Sequence, residues 1–385
     1  MRIYLDNAAT TAMSPEVIEV MTDLMKNHYG NPSSIHQEGR TMRAKIEEAR
    51  KTIANQLKAS IGEIFFTSGG TEANNMAIKC SVRDLGVKRI ITSKIEHHCV
   101  LHTVESIHNH QNITVDYVKL DSKGRVNYKH LEELLKSSEE KTLVTLMHAN
   151  NEIGTMIDIE AVGEVCAENG AYFHSDTVQT AGHFPIDVST TKIHFMSGGS
   201  HKFHGPKGVG FIYINGDAML KPFIDGGAQE RNMRGGTENA YGIIGMAKAF
   251  EMACTEMEAR HTYISGIRQY MMNALLENFE GIEFNGDYDK NCLYTVLSTA
   301  FKMTPRSEMM LMSLDIYGIS ASGGSACSSG AEQGSHVLAG INASEAFKTI
   351  RFSFSHYNTK EEIDIVIEKL KSIVPEQVKQ LVMEN

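Results

Sequence analysis

Lys202 stands in MSGGSHKFHGPKG (196–208), directly after an apolar run, with His201 and His204 beside it and glycines on both sides. An amine so placed, where a ligand can come close, suits condensation with a carbonyl. Other apolar runs also end in polar groups. TSGGTEANN (67–75) offers Gly69 and Gly70 at the start of a helix, where freed backbone N–H groups and the helix dipole attract an anion. KIEHHCVLH (94–102) carries His97, His98, Cys99 and His102. HANNEIG (148–154) exposes two amides and a carboxylate, and HSDTVQTAG (174–182) puts Asp176 at its tip with Gln179 one turn on. His98 and His102 are four apart, but that spacing falls short of a recognised ligand set. No built-in metal site is expected, with one histidine facing a pocket and the others solvated.

A strand-end acid, a later strand-end lysine and a glycine-lined helix start are together the parts of a pyridoxal 5′-phosphate site. The lysine takes the aldehyde. The carboxylate keeps the pyridine nitrogen protonated, which makes the ring an electron sink. The helix start takes the phosphate.

The elements that must position these groups are legible in the pattern. RTMRAKIEEARKTIANQLKA (40–59) places Ile46, Ala49, Ile53 and Leu57 at helical spacing. EIFFT, RIITS (89–93), TLVTLMH (142–148), AYFHS (171–175) and IHFMS (193–197) read as short strands alternating with helix or loop. That alternation predicts an α/β fold with a largely parallel sheet flanked by helices, and ligands gather beyond the carboxyl ends of such strands. From about 259 onward the helices surround sparse strands, CLYTVLSTAF and TIRFSFS, which predicts a smaller α+β domain. The expected division is an N-terminal segment 1–14 on the substrate side, a large domain 15–258 and a small domain 259–385 carrying a loop at about 321–335.

That loop contains SGGSACSSGAE (322–332), where Cys327 lies among glycine, serine and alanine. Packing cysteines sit among apolar neighbours; this one suits a thiol that moves or reacts, since such residues give mobility at little steric cost. The 385 residues, 42% hydrophobic and 22% charged, suit a soluble globular protein. The six cysteines form no CxxC pair, which points to a reducing cytoplasm. A net charge of −10 argues against a nucleic-acid surface, and the longest apolar runs are too short for a membrane span.

The chain resembles the NifS/IscS-type cysteine desulfurases of the class V aminotransferase family. The motifs run nearly end to end: YLDNAATT, YGNPSSIHQEGR (29–40), FTSGGTEANN, EHHCVLH, HANNEIG, SDTVQTAG, SHKFHGPKGVGFIY, MRGGTEN (233–239), GGSACSSG and IRFSFS (350–355). The resemblance implies a fold-type I transferase with a seven-stranded-type sheet. It implies that Lys202 holds the cofactor and abstracts the substrate α-proton, Asp176 pairs with the pyridine nitrogen, and Gln179 bonds the phenolic oxygen near Asn151. His97 would stack on the ring and assist proton transfers. Gly70, Thr71, Ser200 and His201 would meet the phosphate. Thr237 would reach the phosphate of a neighbouring subunit, which implies a homodimer. Arg351 would clamp the substrate carboxylate, with Asn31, Asn151 and the segment 7–10 lining the substrate side. Cys327 would take sulfur from L-cysteine as a persulfide, release alanine, and deliver the sulfur to an iron–sulfur scaffold or another acceptor protein. With a scaffold it could be a transient iron–sulfur ligand.

Two positions depart from the family pattern. The serine expected three places before the lysine is Gly199, followed by Ser200, so one phosphate contact is expected to weaken. Gly334 replaces a proline before Ser335, which loosens the loop's return arm. The alternative readings are a selenocysteine lyase or other lyase or transaminase of this fold, which needs no Cys327, and an inactive scaffold-recruiting protein, which needs no Lys202, Asp176, His97 or Arg351.

Overall fold

The computed structural model describes residues 2–289, 292–323 and 334–380. After a short β1 (Ile3–Tyr4), seven strands build one sheet: β2 (Ile64–Thr67), β3 (Arg89–Thr92), β4 (Thr114–Tyr117), β5 (Thr142–Thr145), β6 (Tyr172–Asp176), β7 (Phe195–Gly199) and β8 (Gly210–Ile214). Their order is β2-β8-β7-β6-β5-β3-β4, and only β8 runs against its neighbours. The other six therefore deliver their carboxyl ends to one edge. The expectation of an α/β fold with a mainly parallel seven-stranded sheet is met.

β2, β3, β5, β7 and β8 are buried at every position, as strands covered on both faces must be. Alternate side chains enter opposite cores: Phe66, Met196 and Phe211 pack with Ile46, Ile53 and Leu57 of the helix Gln37–Leu57. Phe65, Phe195 and Ile212 pack with Met76 and Val104 on the other side. Two strands of this sheet, the part-exposed edge strand β4 and the antiparallel β8, are ones the sequence pattern did not single out.

The remaining strands are β9 (Glu283–Phe284), β10 (Val296–Lys302), β11 (Ile319–Ser320) and β12 (Phe347–Ser353). β10 pairs antiparallel with β9 and β12, and a third core of Ile264, Leu297, Phe301, Phe352 and Ile367 backs them. Ile3 and Leu5 join that core, and β1 pairs with β11, although the chain start is remote from them in sequence. Among the described residues no helix is long and apolar enough to cross a membrane.

One buried ion pair pins the sheet edge that leads into the helix Gly70–Leu85. Arg50 forks onto Glu230 at 2.7 and 2.9 Å, and Glu230 also accepts the Phe66 N–H at 2.7 Å. Both side chains are at most 3% exposed, and Glu230 begins three successive residues with left-handed backbone, Glu230, Arg231 and Asn232. Removing one partner strands the other charge in the interior. Arg50→Met is expected to cost about 3–5 kcal/mol in urea unfolding; a loss below about 1 kcal/mol would mean that the Phe66 N–H alone satisfies Glu230.

Candidate active site

The carboxyl ends of the strands meet in a cavity of about 350 Å³. Asp176 closes β6, lies beside Ser197 of β7 in the strand register, and is 6% exposed. Its carboxylate accepts from Asn74 Nδ2 at 2.7 Å and from the Val178 N–H at 3.0 Å, with the Ser197 hydroxyl at 3.4 Å. Lys202 follows β7 in a single 3₁₀ turn and donates from Nζ to the carbonyls of Ala8 (2.5 Å) and Ala9 (2.9 Å). Gln179 donates to the same Ala8 carbonyl at 3.0 Å. His97 caps the helix His98–Gln111, its Nδ1 accepting from the Cys99 N–H at 3.2 Å. Burial holds His97 below its ordinary pKa, with Asp176 opposing.

Gly70, Thr71 and His201 line the same cavity. The helix beginning at Gly70 has no side-chain cap; Gly69 adopts φ 151°, a glycine conformation, and a Cβ on Gly70 would meet Val178 Cγ2 at 2.3 Å. Backbone N–H groups are thus laid bare at a helix start, opposite a carboxylate and a lysine. This donor set fits pyridoxal phosphate: an anion cradle, an acid for a pyridine nitrogen, and an amine.

At the departure from the family pattern, a Cβ on Gly199 would point past Val178 Cγ1 (3.3 Å) toward Gly70 N (3.8 Å) and His201. Position 199 therefore faces the cradle. Ser200 is fully buried, its Oγ has no hydrogen-bond partner among the described residues, and it does not line the cavity. Successive side chains at a strand end point opposite ways, so the serine one place later is turned inward.

Arg351, on β12 and 1% exposed, reaches the cavity from the carboxy-terminal lobe. Nη2 donates to Asp6 Oδ1 at 2.7 Å and Nη1 to the Asn151 carbonyl at 2.9 Å, while Nε is buried without a partner among the described residues. Asn151 and Gln179 line the cavity too, as do Ala8 and Ala9 from the segment 7–10. Asn31 is exposed and outside the cavity, its Oδ1 accepting from the Ser33 N–H. Thr237 is also exposed and lines a separate cavity of about 230 Å³ with Gly208 and Arg234. Cys327 lies outside the described residues.

Sequence reasoning passed over Asn74, Val178 and His336, which line the cavity together with Glu152, the carboxylate noted in HANNEIG. His336 arrives from beyond the cysteine loop; its Nε2 lies 2.9 Å from the Glu96 carbonyl and its ring 4.3 Å from that of His98. Asp6, bound to Arg351, was legible only as part of YLDNAATT. The other five cysteines, Cys80, Cys99, Cys166, Cys254 and Cys292, are free and at least partly buried. Burial pushes the Cys80 thiol up to about 11 and those of Cys99, Cys166 and Cys254 to about 12.

The fold and this site are those of a pyridoxal-phosphate transferase, and the chain belongs to the class-V aminotransferase family, whose sequence model matches residues 3–366. Its curated relatives include cysteine desulfurases. It is 42% identical to "Cysteine desulfurase IscS" of Dictyoglomus turgidum over 97% of this chain and 96% of that protein. It is 40% identical to "Putative cysteine desulfurase IscS 1" of Bacillus subtilis over 97% and 98% of the two chains. Among solved structures, a NifS-like protein superposes with TM-score 0.90 at 34% identity, covering 98% of this chain and all of that one.

Two outcomes follow from the geometry. Gly199→Ser is expected to tighten pyridoxal phosphate retention about 2- to 10-fold, one added hydrogen bond, read as cofactor release by dialysis or absorbance; unchanged retention would show that position 199 does not reach the phosphate. Glu96, wholly buried beside His97, has its pKa pushed up by burial to about 8. Its stabilising contribution is full below its unfolded value and is lost as pH rises through about 8. The melting temperature of Glu96→Gln relative to the unmodified chain should therefore rise between pH 5.5 and 8.5; a constant difference would mean that Glu96 stays ionised throughout.

Proposed function

We propose that the chain is a cysteine desulfurase, converting L-cysteine to L-alanine while the sulfur passes to Cys327 as a persulfide. The observation that supports this best is the convergence of Lys202, Asp176, His97 and Arg351 on one cavity, within a family whose full-length relatives carry that name. Lys202 would hold pyridoxal phosphate by its amine, Asp176 would face the pyridine nitrogen, Gln179 and Asn151 its phenolic edge, and Gly70, Thr71 and His201 its phosphate. Bound there, the cofactor supplies the electron sink that lets the Cα–H and Cβ–S bonds of the amino acid break.

The chain's own groups do the rest. Arg351, which lines the cavity, binds the substrate carboxylate with its forked donors. Lys202 Nζ takes the α-proton and returns a proton to the carbon skeleton, with His97 as a second proton carrier. The Cys327 thiolate attacks the substrate sulfur; the Cβ–S bond breaks, an S–S bond forms, and alanine leaves. An ordinary thiol, with pKa near ~8.5, is mostly protonated at neutral pH, so a neighbouring base must help.

The active unit we infer is a homodimer in the cytoplasm. Thr237 is exposed and lines a cavity other than its own chain's active site, in keeping with contact to a neighbouring phosphate. The five free thiols among the described residues suit a reducing compartment. The separate core behind β10 and β12 supports a domain division near residues 258/259. The sulfur acceptor would be an iron–sulfur scaffold or another acceptor protein.

L-cysteine turnover by the unmodified chain and by Cys327→Ala, following alanine, bound persulfide and the visible cofactor band together, tests the reading. The unmodified chain should make alanine and persulfide; the variant should keep the band and make neither. Full-rate alanine release by the variant would remove Cys327 as the nucleophile and leave a lyase.

A further inference from the structure

Behind the cavity runs a chain of buried polar groups that the reaction as described does not use. Thr145 Oγ1 lies 2.8 Å from His174 Nδ1, and His174 Nε2 lies 3.1 Å from Asn74 Oδ1. Asn74 Nδ2 then reaches two groups, Asp176 Oδ2 at 2.7 Å and Cys99 Sγ at 3.2 Å. Cys99 Sγ in turn lies 3.0 Å from His97 Nδ1. Thr145, His174 and Asn74 are 0% exposed, so water cannot supply alternative partners.

Hydrogen-bond chemistry gives this chain a direction. Asn74 must turn its NH₂ toward Asp176, because its carbonyl there would face a carboxylate. Its Oδ1 is then the acceptor for His174, which places the His174 proton on Nε2 and leaves Nδ1 to accept from the Thr145 hydroxyl. Burial keeps this ring neutral, its pKa lowered to about 4. The second Asn74 N–H donates to the Cys99 sulfur, which the Thr71 side chain also meets, and the thiol hydrogen is directed to His97 Nδ1. The Cys99 backbone N–H points at the same nitrogen, at 3.2 Å, which excludes a proton there. His97 is left with its proton on Nε2.

We propose that Asn74, held in one orientation by His174 and Thr145, is a positioning residue that fixes the Asp176 carboxylate and, through the Cys99 thiol, the orientation of the His97 ring, whose tautomer the Cys99 backbone N–H already sets. A single amide thereby sets the acid under the cofactor nitrogen and the imidazole beside it, so the two cannot drift independently. Cys99 is the branch toward His97 only, a thiol used as a hydrogen-bond relay rather than as a nucleophile; burial, which pushes it up to about 12, keeps its proton in place. Other charged or titratable groups face the same two residues. His97 is met by Lys202, His98, His102 and His336, and Asp176 lies near Glu96, so a shift in either group is read against that fixed background.

The proposal about catalysis rests on the desulfurase reading, but its core can be measured without turnover. Nitrogen-15 NMR of the ring nitrogens of His97 and His174 should show both as neutral Nε2–H tautomers; a proton on Nδ1 of either overturns the relay, whatever the enzyme does. In the pyridoxal-phosphate-loaded protein, Cys99→Ala should lower kcat several-fold and shift its pH profile, with KM for L-cysteine and cofactor retention unchanged. Cys99→Ser, whose hydroxyl can also accept and donate, should restore the profile. Asn74→Ala and His174→Ala should act on both branches, releasing the cofactor about 10-fold faster and lowering kcat about 10- to 100-fold. If these buried variants fail to fold, the Cys99 pair and the tautomers still decide. Equal behaviour of Cys99→Ala and Cys99→Ser, or Asn74→Ala with unmodified cofactor release, rejects the proposal. Loss of turnover or of the cofactor band in the unmodified chain would instead reject the functional reading while leaving the tautomer result standing.

Discussion

A carboxylate taken out of water is the constraint around which the cavity is arranged. An ionised Asp176 at the end of a buried strand is tolerable only if its oxygens are met by donors, and the Val178 N–H, the Asn74 amide and the Ser197 hydroxyl meet them. Each donor comes from a different element: the turn after β6, the helix that follows β2, and β7. Keeping the acid charged therefore requires the sheet order that brings β6 beside β7 and sets the helix Gly70–Leu85 across both. The same helix presents its uncapped start to the cavity, so the anion cradle and a donor to the buried acid lie about one turn apart on one helix.

The second requirement is a link between lobes. The segment after β1 crosses from one to the other: Leu5 packs in the carboxy-terminal core, and the Ala8 and Ala9 carbonyls hold the Lys202 amine. Asp6, between them, holds Arg351. The amine that would carry the cofactor and the guanidinium that would bind the substrate are thus anchored two and three residues apart on one turn of the chain. Their separation is set by a few covalent bonds, where an interface between two lobes would have left it variable.

Much of this was legible in the sequence. Five of the parallel strands announced themselves as short apolar runs, and parallel direction forces their carboxyl ends together, so Asp176, Lys202, His97 and the Gly69–Gly70 turn could be grouped from the sequence. What failed to show depends on side-chain direction or on tertiary placement. Ser200 looked like a substitute for the missing serine at 199, yet one residue of strand turns a side chain from cradle to core. Asn31, within a motif-like stretch, satisfies a local turn instead of the cavity. The half-exposed β4 is too short for its alternation to be distinctive. His336 and Asn74 have no local signal: a histidine after a loop and an asparagine in a helix become site residues only once the elements pack.

The thiols show what the interior does to sulfur chemistry. Cys80, Cys99, Cys166 and Cys254 are all made poor acids by burial, and the thiolate is the form that reacts. An electrophile added at neutral pH, whether an alkylating probe, a peroxide or a stray persulfide, meets in them almost no nucleophile. Cys292 is shifted the same way by burial, so fidelity in handling a reactive sulfur atom can arise by exclusion: the fold silences the described cysteines that must not compete.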